Sequence, residues 1–262
     1  MEEEKKDALA PKSDSAIKPL ITESGALAGK EQTYGMEAYI IPRLALLQKG
    51  SSLLDQNVGI PGDFVNSMML SNYGKEVVFV PLIRRKSRLY FRQGEGLACR
   101  SFNAIEGQGN PGGLCAKCPL SKWPNKGDLD ENGKQLTAPP CNESWDFISI
   151  IPDDIETDLP IVVSFRASSA QEGKKLNTMI DLVKDQETGQ YLNPWFFEYK
   201  VNSVQKSSKN FTFYIAQVRR IKRTENPMEY EVWYNRISGK NIQTDISDLE
   251  QSNETPGWAN ET

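Results

Sequence analysis

The sequence predicts a mainly β (α+β) fold: an OB-like five-stranded barrel with one helix and a long cysteine-bearing loop inserted into it. Three observations predict it. Short apolar, β-branched and aromatic runs recur through the body of the chain. One stretch, residues 168–184, changes to a helical period and falls between the third and fourth of these runs. The resulting order, three strands, a helix and two strands, is that of an OB barrel, although other small β-barrels and α+β folds share it.

Taken in chain order, residues 1–33 are polar, contain Pro11, Pro19, Gly25 and Gly29, and show no sustained periodicity, so they read as a disordered N-terminal segment. Residues 34–240 form the OB-like domain, and 241–262 an acidic C-terminal tail. In residues 34–50, Pro42 interrupts an apolar stretch, which favours a short packed segment over a long helix. Residues 76–83 and 86–92 read as two halves of one long first strand that bends at Pro81. Residues 144–151 and 160–166 supply the second and third strands. Ser168 or Ser169 caps the helix, Glu172 follows, and Leu176, Met179, Ile180 and Val183 mark its apolar face. Residues 195–204 and 210–220 are the last two strands, joined by a turn at Lys206-Ser207-Ser208-Lys209. The aromatic stretch 229–237 suits a strand or a helix.

Between the first two strands lies the insertion, residues 93–143, rich in Gly, Pro and polar residues and too long for an ordinary connection. All four cysteines fall in it: Cys99, Cys115, Cys118 and Cys141. The two-residue spacer in Cys115-Ala116-Lys117-Cys118 turns both sulfurs to one side of a tight knuckle. Four thiolates around one ion make the closed shell of a structural zinc site. Such a site can supply on the order of 10 kcal/mol of ordering free energy, which an insertion with few large apolar side chains cannot draw from burial. One structural Zn2+ is the expected cofactor. An iron–sulfur cluster uses the same ligands. Disulfides suit a secreted protein, and the charged start of the chain does not read as a secretory signal. A cytoplasmic protein is expected, with no membrane partner, since no apolar run approaches roughly 18 residues.

The net charge is −4, yet its distribution is uneven. Both ends are acidic, while residues 32–240 hold 26 Lys and Arg against 23 Asp and Glu. The densest basic stretch, Arg84, Arg85, Lys86, Arg88 and Arg92, is interleaved with Tyr90 and Phe91 on the expected first strand. Cations that follow phosphates and flat rings that stack on bases are the means of holding single-stranded nucleic acid. Arg166, Lys200, Lys209, Phe211, Phe213, Tyr214 and Arg219 extend the candidate set. Tyr90, Phe91, Phe211 and Tyr214 suit the core equally well, and basic runs also occur as solvated faces. In the tail, Asp245, Asp248, Glu250, Glu254 and Glu261 accompany Trp258. Such a tail can compete with phosphates for a basic groove, recruit replication proteins, or simply solubilise the chain.

Histidine is absent, which excludes Ser-His-Asp and Cys-His catalysis. A magnesium nuclease built on Asp153, Asp154, Glu156 and Asp158 is a weaker reading than an exposed turn there. No enzyme activity is expected.

Several segments together carry a resemblance. They are Ile41-Pro42-Arg43-Leu44-Ala45-Leu46-Leu47-Gln48, Pro61-Gly62-Asp63-Phe64, Val78-Phe79-Val80-Pro81-Leu82, the run Gly112-Gly113-Leu114-Cys115-Ala116-Lys117-Cys118-Pro119, Trp123, and Pro139-Pro140-Cys141. Over about residues 37–220 the chain resembles tailed-bacteriophage single-stranded DNA-binding and replication-accessory proteins. The resemblance implies an OB-type barrel with a zinc loop, acting on single-stranded DNA in phage replication or recombination in the host cytoplasm. The alternative is a structural or regulatory zinc protein that binds host or phage proteins without nucleic acid.

Overall fold

The computed structural model describes residues 39–92, 95–130, 133, 135–152, 159–208, 211–240, 242–247 and 249. The expected disordered segment 1–33, the acidic run 153–158, Lys209, Asp248 and residues 250–262 lie outside the described residues. In chain order the strands are β1 Ile40–Ile41, β2 Arg43–Leu46, β3 Phe64–Asn66, β4 Asn72–Gly74, β5 Glu76–Arg92, β6 Gly96–Ser101, β7 Glu106–Gly109, β8 Gly113–Leu114, β9 Asn142–Ile150 and β10 Ile161–Arg166. Helix α1 (Ala170–Asp181), β11 (Phe197–Ser207), β12 (Thr212–Arg223), α2 (Pro227–Ile237) and β13 (Gln243–Thr244) follow. The fold is mainly β.

The long strand β5 organises the rest. Its first residues pair with β11, its middle with β9, and its last with β6. Pro81 lacks an amide proton, and the β5–β9 register shifts between Pro81 and Ile83, so the expected bend is a bulge within one 17-residue strand. β9 pairs with β10, and β11 with β12, both antiparallel.

The sheet is open, which corrects the expectation of a closed barrel. A five-stranded closure needs β10 to pair with β12. Instead β10 takes β2 as a parallel neighbour, through Val162–Arg43 and Val163–Leu44. β2 then carries β3 and β4 outward. The segment read as merely packed is therefore a strand, and it fills the edge that closure would use.

Helix α1 lies over one face of the sheet. Leu176 and Ile180 join Phe147, Val163, Phe165, Tyr199 and Val201 in the main core. Gly173 permits this approach: a Cβ there would stand 2.6 Å from the Cβ of Trp145 and 2.9 Å from that of Phe165. Helix α2 settles the ambiguous aromatic stretch. Pro227 opens it, and Tyr230, Trp233, Tyr234 and Ile237 recur at helical spacing. They cover a second core of Ile41, Val80, Leu82, Ile148, Val162 and Trp195 on the opposite face, with Trp195 and Tyr234 ring centroids 4.6 Å apart.

Candidate metal centre and nucleic-acid interface

The four cysteines meet at the far end of β5. Cys99 sits on β6, opposite Tyr90 on one side and Gly109 on the other. Gly107 keeps the space beside it: a Cβ there would lie 3.0 Å from the Cys99 sulfur. Cys115 follows β8 and its amide donates to the Ile105 carbonyl at 2.8 Å, while the Cys118 amide donates to the Cys115 carbonyl at 3.2 Å. The Ser121 hydroxyl hydrogen-bonds to both the Cys115 and Cys118 carbonyls, at 2.7 and 2.8 Å, and locks the knuckle. Cys141 is brought in by its amide, which donates to the Leu120 carbonyl at 2.9 Å.

All four are free thiols lining one cavity of about 10 Å3, shared with Tyr90, Gly107 and Leu120. Burial pushes the Cys141 thiol up to about 11; Arg88 pulls it down, and Cys118 and Cys115 push it up further. Among the described residues, no three His, Cys, Asp or Glu side chains stand at the spacing of a preformed metal shell. Thiol ligands give up their protons when they bind an ion. The donor set, four unpaired sulfurs around a space for roughly one water-sized sphere, fits a thiolate-bound ion.

The basic stretch on β5 does not form one surface. Alternation sends Arg84, Lys86, Arg88 and Tyr90 to the α1 face, beyond the helix, and Arg85 and Phe91 to the other. Arg84 pairs with Asp181 at 2.6 Å, and Lys86 and Arg88 with Glu143 at 2.7 and 3.2 Å. Arg92 pairs with Glu95 at 2.9 Å. Tyr90 is buried beside the cysteines. On the other face, Arg85 donates to the Ile242 carbonyl at 2.9 Å and to the Thr244 hydroxyl. Its guanidinium lies 5.5 Å from the Phe102 ring centroid. Burial draws the Arg85 pKa down, against the opposing pull of Asp146.

That second face is roofed by the C-terminal segment, a feature the sequence reading missed. β13 pairs with β1, and Ile246 and Leu249 pack on Leu89, Phe91 and Leu97. Beneath them a small pocket is lined by Arg43, Ser87, Ser144, Asp146, Ser164 and Arg166. The Ser87 and Ser144 hydroxyls donate to the Asp146 carboxylate at 2.6 and 2.7 Å. Asp245 accepts hydrogen bonds from Ser67 and Ser247. Burial works to raise its pKa, but these bonds and the charge of Arg43 prevail, and it falls below 3.8.

The hairpin of β11 and β12 does gather candidates. Val201 and Val218 face the core. Alternation then turns Lys200, Lys206, Phe213 and Arg219 outward, with Lys200 opposite Arg219 and Lys206 opposite Phe213. Phe211 joins Phe213 at a ring-centroid distance of 5.5 Å. Lys200 pairs with Glu76 at 2.6 Å, whereas Lys206 is exposed and makes no ion pair among the described residues. Tyr214 points the other way. Its backbone exchanges two 2.9 Å hydrogen bonds with the Gln48 side chain, and its ring fills the space over Gly62.

No helix among the described residues is long and apolar enough to cross a membrane. A family model described as Pam3 phage gp34-like protein matches residues 12–242. No curated protein and no solved structure matches the chain.

Proposed function

The chain belongs to the Pam3 phage gp34-like protein family, and from that premise we propose that it is a phage single-stranded DNA-binding protein without catalytic activity of its own, acting in DNA replication or recombination in the host cytoplasm. The observation that carries this reading is the outward face of the β11–β12 hairpin. There Lys206 stands opposite Phe213, whose ring neighbours that of Phe211, and Lys200 and Arg219 stand opposite each other six residues further along the same face. Cations beside partly exposed rings suit an unpaired strand, whose phosphates and base faces are both accessible. The strand connectivity supports an OB-like reading of the scaffold: β5, β9, β10, α1, β11 and β12 follow the OB order, and β11 returns to pair with β5.

In this reading Cys99, Cys115, Cys118 and Cys141 hold one zinc ion, which when bound supplies a cross-link among β6, the knuckle and the start of β9. Arg88 stands beside this group, with its Nη1 3.5 Å from the Cys141 carbonyl, where its charge favours the thiolate. The acidic tail is a candidate contact for replication proteins.

The test is a fluorescence-anisotropy titration with single- and double-stranded oligonucleotides. Single strands are expected to bind more tightly, and Phe211→Ala/Phe213→Ala to weaken that binding by roughly 5- to 150-fold per stacked base lost. Absence of binding at low salt overturns the reading.

A further inference from the structure

The insertion carries a second group of cations and a ring that the hairpin face does not include. Residues 115–127 hold Lys117, Lys122 and Lys126 ahead of the next carboxylates in the chain, Asp128 and Asp130. All three lysines are exposed, and none makes an ion pair among the described residues. Between the last two stands Trp123, 75% exposed, the most exposed large apolar side chain described. A tryptophan ring is among the largest apolar surfaces a chain possesses, and placing it in water forgoes that burial.

The segment that presents it is held firmly. Pro119–Ser121 forms a 3-10 turn, and the Lys122 amide closes it on the Pro119 carbonyl at 3.2 Å. Ser121 is tied to the knuckle carbonyls and Leu120 to Cys141. Beyond the ring, the Asn125 amide donates to the Asp128 carboxylate at 2.7 Å. The indole therefore projects from a braced turn, and a rigid ring loses little freedom when it is covered.

We propose that this knuckle is a second contact for single-stranded DNA, with Trp123 stacking on a base and Lys117, Lys122 and Lys126 against neighbouring phosphates. Cations without carboxylate partners favour a polyanion over an apolar protein surface, and a flat ring among them is the element that reads an unstacked base. The proposal rests on the single-stranded DNA reading of the hairpin and extends it to the opposite end of β5.

Full-length protein is titrated with short and long oligothymidylates. The variants are Trp123→Ala, Lys117→Ala/Lys122→Ala/Lys126→Ala, and Phe211→Ala/Phe213→Ala. Trp123→Ala is expected to lose roughly 5- to 150-fold in affinity for the long oligomer, with far-UV circular dichroism unchanged. The triple lysine variant is expected to flatten the dependence of log affinity on log salt by about 0.7 per lysine. Trp123→Phe is expected to keep most of the affinity and to lose part of the fluorescence quenching that DNA produces. If both knuckle variants bind as the parent does while the hairpin variant is weakened, the knuckle contact is overturned and the hairpin reading stands. If the parent binds no oligomer, both fall together. If Trp123→Ala keeps its affinity for DNA but loses a phage or host protein that the parent retains, the knuckle is a protein-docking site and the proposal is wrong.

Discussion

Gly173 shows how much a single hydrogen atom can decide. The gap it leaves between α1 and the sheet is closed on the far side by the Cβ atoms of Trp145 and Phe165, which cannot swing away as a flexible side-chain tip could. Gly173→Ala gains about 1 kcal/mol in helix propensity. It forces overpacking that costs about 1–3 kcal/mol, so the net expected change is a lower urea midpoint. A midpoint above that of the parent would contradict this packing. Asp245 gives a second residue-scale prediction. Its folded pKa lies below the ordinary 3.8. The stability it lends the C-terminal segment is therefore fully present above 3.8 and is lost as pH falls through the lowered folded value. The protection of the Ile246 and Leu249 amides, measured against their intrinsic exchange rates, is expected to fall over that acid range, and Asp245→Asn to lower it already at neutral pH. The Cys115–Cys118 knuckle was legible from its two-residue spacing, whereas the delivery of Cys99 by β6 and of Cys141 just ahead of β9 to the same cavity depends on strand pairing that spacing does not encode. The fate of Arg85 was not: it donates to a carbonyl 157 residues away, and no local pattern encodes such a partner.

At the level of elements, β5, β9, β10, β11 and β12 announced themselves through β-branched and aromatic runs, and α1 through its change of period. The short strands of the insertion, β6 to β8, carry no such run. β2 did not announce itself either. Pro42 beside it argues against regular structure, and Arg43–Leu46 becomes a strand only because β10 presents a free edge. That pairing is a tertiary effect, and it is why an order typical of a closed barrel yields an open sheet. The cysteine knuckle depends on its own cross-links in the proposed zinc-bound protein. Cys118→Ser is expected to raise amide exchange through residues 96–141 while β9, β10 and β11 stay protected. Unchanged exchange in the insertion would count against the metal. The C-terminal segment is the other detachable element. Deleting residues 241–262 removes the buried Ile242, Ile246 and Leu249 and uncovers Arg85 and Phe91. The shortened protein is expected to melt at a lower temperature and to bind oligonucleotides more tightly at low salt. Weaker binding would show that the segment supports the binding surface and does not compete for it.

For the molecule as a whole, net charge is a poor guide to partners. A protein at −4 repels a polyanion on average and can still attract it locally, because potentials of exposed charges fade over about 8 Å at physiological salt. Affinity should then decline steeply as salt rises, with a slope set by the number of phosphates engaged and not by overall charge. A salt-independent affinity would point to recognition without backbone contacts.

The continuity of β5 has a consequence for the length of polymer the protein can hold. Seventeen residues in one strand extend about 55 Å at about 3.3 Å per residue, with the hairpin rooted at one end and the cysteine knuckle at the other. A strand bent at a bulge but hydrogen-bonded to its neighbours on both sides behaves as a gauge. Whatever spans both ends is measured against a set distance, so the footprint of each molecule should stay constant across conditions that make tethered modules stretch or collapse.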